Sequence, residues 1–332
     1  MSKKHPTFVF CVIGLLLCSV VNAGELETRK ELSNQVRALL SGNHFSELEA
    51  MAKQYREEET RTPSGVWTLT FFYIAFGQTV SGVEKGSAEW SNQLENLDLW
   101  IEKYPASPTP YIAKSIILKS QGWRIRGPGY AKTVKPEAWD KFYKKIDESL
   151  QVLTASKKIS SNDPHWYVVM ADIAKIQKWE QAKFQRLEEE ALDRYQSYFQ
   201  IYFSMMDYYT PKWHGDAEKI EEFAVKATER TQAKEGAGMY VRIYWAAFQS
   251  QFRGNLFSRS KVRWDFMSKG IDDVLERYPD QWNINNFALF SCLARDKSKT
   301  RKLIAMIQEP PIPAGWLGNV KSYHACKEWA EQ

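Results

Sequence analysis

Apolar residues recur every three to four positions along most of this chain, the spacing of one buried helix face. Leu32, Val36, Leu39 and Leu40 predict a helix over 27–40, which Gly42 and Asn43 end. Phe45, Leu48, Met51, Ala52 and Tyr55 start a second, so 27–55 reads as a helical hairpin. Thr62-Pro63-Ser64-Gly65 breaks the chain, and 67–76 is a dense aromatic segment. A loop over 82–86 follows. Trp90, Leu94, Leu97, Trp100 and Ile101 then line another helix, closed by Tyr104-Pro105. Trp139, Phe142, Ile146, Leu150 and Leu153 predict a long amphipathic helix from Pro136. Asp163-Pro164 opens a stretch apolar along one face, 163–179, with 179–191 as its hairpin partner. Helices are expected at 198–209, 217–228, 239–252, 264–278, 282–293, 301–307 and 316–329. No segment alternates as a strand does, so the fold class is all-α.

Two of these stretches echo each other. When Tyr111 is set on Tyr167, Lys119 falls on Lys175, Gln121 on Gln177 and Trp123 on Trp179. Each runs from tyrosine to tryptophan after a proline turn. The segments 98–105 and 273–279 form a second pair, both ending in Tyr-Pro before a new helix. Helix pairs punctuated in this way suggest a tetratricopeptide-like, right-handed helical-repeat solenoid of antiparallel helix pairs. Residues 24–255 would form the repeat domain and 256–332 a C-terminal helical extension and capping tail.

The N-terminus changes the picture of where the protein works. Lys3, Lys4 and His5 precede an apolar run over 8–21, and Val21-Asn22-Ala23 ends it on small residues. This is the form of a secretory signal peptide, expected to be cleaved after Ala23, which predicts a periplasmic or secreted protein without a stable membrane span. Of the 45 Lys and Arg, Lys3 and Lys4 fall in that leader, leaving 43 against 40 Asp and Glu. So nearly balanced a charge argues against a nucleic-acid partner. Cys11 and Cys18 also fall in the leader. The remaining even pair in an exported chain, Cys292 and Cys326, is expected to form a disulfide tying the tail to a helix.

Catalytic signatures are missing. There is no Gly-x-Ser-x-Gly elbow, no HExxH and no phosphate loop, and no cofactor is implied. His165 and His214 lack a metal-ligand spacing, so no metal site is expected. The segment 124–134 reads as an ordered loop. Its glycines permit close approach to a ligand, and Arg124 and Arg126 could hold a carboxylate or phosphate. Alternatively the loop bends over the next helix and Tyr130 plugs the core. His165, Trp166 and Tyr167 at one helix start, with Trp213 and His214 in a later turn, complete the candidate binding residues. Most of these aromatics also suit inter-helix packing.

The motifs Arg-x-Arg-Gly-x-Gly-Tyr-Ala (124–131), Asp-Pro-His-Trp-Tyr (163–167) with Gln177 and Trp179, and Pro211-x-Trp213 with Gly215-Asp216 resemble a bacterial family. It is catalogued as domain of unknown function 4034. The resemblance covers 45–248. It implies a tetratricopeptide-like fold and no activity, cofactor or substrate. Lys178 stands where that family carries a glycine. The expectation for function is an exported scaffold binding a protein or peptide. The alternative is an envelope enzyme or glycan-binding protein, built where the 124–130 loop meets His165 and Trp213.

Overall fold

The computed structural model describes residues 24–332, so the expected leader lies outside the described residues. The chain folds into α1 (Glu25–Ser41), α2 (Phe45–Glu57), α3 (Thr68–Gln78), α4 (Ala88–Lys103), α5 (Thr109–Arg126) and α6 (Pro136–Ala155). A short α7 (Lys157–Ser160) precedes α8 (His165–Ile176), α9 (Gln181–Arg194), α10 (Phe199–Tyr208), α11 (Ala217–Glu235) and α12 (Gly238–Ala247). The last third comprises a short α13 (Leu256–Arg259), α14 (Trp264–Arg277), α15 (Gln281–Leu293), α16 (Lys297–Ile304) and α17 (Val320–Glu331). Among the described residues the nearest thing to a strand is one isolated bridge, Arg61 to Trp67. None of the described helices is long and apolar enough to cross a membrane.

Local chemistry explains the helix ends. Asp216, Asp280 and Asp296 each accept a backbone N–H of the following helix, as N-caps do. In α6, Pro136 occupies the first turn, and Phe142, Ile146, Ser149 and Leu153 form the buried stripe. That stripe lies on α5, where Ser115 and Ser149 hydrogen bond at 2.6 Å. Gly122 of α5 sits so close that a Cβ there would lie 3.2 Å from Cβ of Lys145. Small residues thus set the α5–α6 approach.

Helices α3, α5, α8, α10 and α12 touch one another in succession and form a row. Helices α2, α4, α6, α9, α11 and α14 pack against its members. Most residues of α3, α8, α10 and α12 are buried, so these helices are apolar on more than one face. Nearly all of α8 is buried, including Trp166, Tyr167, Val169, Ile173 and Ala174. Helix α1 also meets the start of α15. The Glu25 amide donates to Asp280 at 3.4 Å, and Arg29 lies over the rings of Phe71 (4.2 Å) and Trp282 (5.5 Å). The Ser64 carbonyl accepts from both Arg242 (2.8 Å) and Asn283 (3.2 Å). A row of repeats touching only its nearest neighbours would lack this contact.

Three expectations need correction. The segment 124–134 is not all loop: α5 continues through Arg126, and Gly127 at φ +79° ends it. Arginine is a good helix former, and two cations in the last turn favour the helix C-terminus. Tyr130 does not plug the core; it is 82% exposed. The two Tyr-to-Trp stretches, equal in length, are also not helical throughout in the same way. The first is helical past Trp123, whereas α8 stops at Ile176 and Lys178 takes φ +54° before Trp179.

The cysteine expectation holds. Cys292 and Cys326 are disulfide-bonded, with Cα atoms 5.9 Å apart. The bond ties α17 beside α15, and Arg301 of α16 secures the same helix through the Ala330 carbonyl at 2.9 Å.

Candidate functional site

A groove of about 550 Å³ runs along the row of α3, α5, α8, α10 and α12. A smaller hollow of about 160 Å³ adjoins it, sharing Gln200, Phe203, Ala246 and Gln249. The groove carries ion pairs that step across the row. Lys119 of α5 pairs with Asp172 of α8, and Lys175 of α8 pairs with Asp207 of α10. Within α8, Lys175 also lies 3.3 Å from Asp172. The two lysines are the ones that coincide when Tyr111 is set on Tyr167. Each therefore reaches the aspartate of the next helix in the row.

Burial works against charge on Asp172, but Lys119 and Lys175 outweigh it and hold the carboxyl well below the usual carboxylate range. Burial also works against the Lys175 ammonium, and Asp172 and Asp207 raise it despite that. Both groups therefore remain ionised at neutral pH. Asp207 Oδ1 is buried and without a hydrogen-bond partner, so this network has one acceptor to spare.

His165 opens α8 beside this ladder. Asp163 Oδ1 accepts the His165 backbone N–H at 2.8 Å, which sets the helix start. The ring stacks on Tyr73 with centroids 4.5 Å apart, and its Nδ1 lies 2.7 Å from the Tyr198 hydroxyl. Burial, followed by the Lys119 charge, pushes the imidazole down to about 3, against a smaller opposing pull from Asp172. The ring is neutral at ordinary pH. Asp163 itself is buried beneath it. Its Oδ2 accepts from Arg56 at 2.5 Å and from the Tyr73 hydroxyl at 2.7 Å. Burial pushes this carboxyl up, against the offsetting Arg56 charge and the Tyr73 and His165 donors.

Of the eight residues singled out as candidate binders, only His165 lines the groove. Trp166 is buried, its indole N–H donating to the Leu153 carbonyl at 3.2 Å. The Tyr167 hydroxyl accepts from Arg194 and donates to Glu190, each at 2.7 Å. Arg124 donates to the Val83 carbonyl at 2.6 Å. Arg126 closes its own loop through the Gly127 and Gly129 carbonyls and lies over Trp123 and Trp139. Trp213 and His214 instead support the ladder from behind. Lys175 Nζ is 5.3 Å from the Trp213 ring centroid, and His214 Nε2 lies 3.0 Å from the Lys175 carbonyl while its ring stacks on Tyr208.

No protein-family model matches the chain, and no curated protein or solved structure matches it. The site therefore has to be read from its own chemistry. Among the described residues, no group of three or more His, Cys, Asp or Glu could hold a metal ion. What the groove does offer is two glutamine amides (Gln200, Gln249), small hydroxyls (Ser120, Ser204, Ser250) and charged groups, beside the rings of Tyr73 and Phe203. Sequence reasoning missed Asp172, Asp207, Gln200 and Gln249. The one signal for this network was the coincidence of Lys119 with Lys175.

Proposed function

We propose that this protein is an exported, tetratricopeptide-like helical-repeat scaffold that binds an extended segment of a partner protein in the groove of its inner helix row. The observation that carries this reading is the stepped ladder, Lys119 to Asp172 and Lys175 to Asp207, along a groove of mixed polar and apolar lining. The same pairing repeated one helix along is what a repeat architecture produces. The groove chemistry suits a polypeptide. Glutamine amides can donate to and accept from peptide bonds, the spare Asp207 oxygen accepts an N–H, and apolar rings receive side chains. The export part of the proposal rests on the basic, apolar and small-residue pattern of 1–23.

Selection of a random peptide library displayed on phage tests the reading. Enriched peptides are expected to bind the protein and to lose at least about tenfold in affinity against Ser120→Trp, which fills the groove from α5. An unchanged melting curve for S120W would show that the loss is local. The proposal fails if no peptide is enriched, or if enriched peptides bind S120W as tightly as the unaltered protein.

A further inference from the structure

A second pocket, of about 300 Å³, shares no lining residue with the groove. It lies where the turn before α3, the start of α10 and the C-terminal turn of α11 meet. Two of its lining residues are buried and polar with an unanswered hydrogen-bonding atom. Glu235, 5% exposed, has Oε2 without a partner. Trp67, 3% exposed, has its indole N–H without a partner. Buried Arg242 balances the charge of Glu235 electrostatically but leaves that oxygen unbonded. Leaving a buried donor or acceptor unmet costs about 1–3 kcal/mol, more for a charged group, so native structures keep few of them.

The two orphan atoms have opposite character, and the lining mixes aromatic rings with charged and polar side chains. Trp67, Tyr195 and Phe199 all line the pocket. Arg61 and Arg242 already lie over Phe199 and Arg194 over Tyr195, so the feature that favours a compact cation is the unbonded Glu235 oxygen, to which an ammonium can donate. The indole N–H demands an acceptor on the same ligand. Exposed Lys234 stands at the lining, ready for a second acceptor or an anion. A metal ion does not meet this description, because the lining acids Glu59, Asp193 and Glu235 are not gathered into a ligand set.

We propose that this pocket binds an α-ammonium group with its neighbouring carbonyl oxygen, the unit shared by a free amino acid and the amino end of a peptide. The ammonium donates to Glu235, and the carbonyl oxygen accepts from Trp67. Lys234 meets the carboxylate where the ligand is a free amino acid. The pocket volume, at the lower edge of the range for small-molecule sites, suits a ligand of this size.

Isothermal titration of the purified protein tests this, using each proteinogenic amino acid, its carboxamide and its N-acetyl derivative in turn. At least one amino acid or carboxamide is expected to bind with a Kd of about 1 mM or tighter, and its N-acetyl form to show no binding. Preference for the free acid over the carboxamide assigns the site to free amino acids. Equal or better binding of the carboxamide assigns it to peptide amino ends. Glu235→Gln is expected to weaken binding at least about tenfold, and Trp67→Phe to weaken it by a smaller factor. If Glu235→Gln does not fold, the N-acetyl comparison on the unaltered protein decides the same point, because it removes the ammonium from the ligand side. The inference is overturned if neither amino acids nor carboxamides bind, if N-acetyl derivatives bind equally well, or if a folded Glu235→Gln keeps full affinity.

Discussion

His165 makes a test of how the inner helix row is stabilised. Its ring is buried, stacked on Tyr73, in contact with the Tyr198 hydroxyl and close to the Lys119 charge, with Asp172 the nearest opposing group in electrostatic terms. Burial and Lys119 push it from 6.5 down to about 3. Unfolding returns the ring to its ordinary value, so the unfolded chain takes up a proton that the folded chain refuses. The stabilisation is therefore complete above about pH 6.5 and is lost as pH falls toward 3. One proton is linked to unfolding within that window, which gives a slope of about 1.4 kcal/mol per pH unit. Allowing for partial protonation at the upper end, His165 should cost about 2 kcal/mol of stability between about pH 7 and about pH 5. Urea unfolding at a series of pH values, on the unaltered protein and on His165→Asn, isolates this contribution. Asparagine places a polar atom near Nδ1 but does not titrate. Its absolute stability will differ, and the decisive quantity is the change with pH. The unaltered protein should lose about 2 kcal/mol more than the variant over that window. Curves that stay parallel to within about 0.5 kcal/mol would refute the reasoning, because the ring would then be as easily protonated folded as unfolded.

Three further outcomes are expected. Replacing Cys292 and Cys326 by serine opens a loop of sequence separation 34. That should cost about 3–4 kcal/mol in urea unfolding, with α17 the first segment released by limited proteolysis. Asp163→Ala removes the acceptor of both Arg56 and Tyr73. Arg56 keeps some contact with water at 19% side-chain exposure, so the expected loss is about 2–4 kcal/mol, partly recovered by adding Arg56→Met. A loss under about 1 kcal/mol would count against a buried ion pair there. Lys178→Gly relieves a lysine at φ +54° on the exposed turn after α8 and should raise stability by up to about 1 kcal/mol in the same assay.

Much of the helical order could be read from the chain alone. Periodicity and punctuation are local properties, and Phe142, Ile146, Ser149 and Leu153 bury the very face that their spacing marks out. Asp163-Pro164 and Gly42-Asn43 marked helix ends for the same reason. The boundaries that were misplaced lie where a local signal had competitors. Arg124 and Arg126 are helix formers next to a glycine-rich run, and Gly127 rather than Trp123 ends α5. At Lys178 a turn requiring positive φ is made without glycine, so residue type concealed it.

The candidate sites depended far more on tertiary structure. A histidine and its aromatic neighbours suggest a binding face only until burial is known, and burial placed Trp166 and Tyr167 in the core and Tyr130 in solvent. Asp163 and Arg56 stand 107 residues apart, and Lys119 and Asp172 stand 53 apart. Nothing in the sequence pairs a given charge with another at such separations, because the pairing follows from how the helices cross. What the sequence alone determined was helical content, the punctuation of the helices, the echo that put Lys119 on Lys175, and a cysteine pair available for bonding. Only the tertiary structure decided which aspartates those lysines reach and that α1 meets α15. It also decided that Glu235 and Trp67 face one pocket. Helix formation is dictated by neighbours three and four residues away, whereas a site is made by residues that only packing brings together.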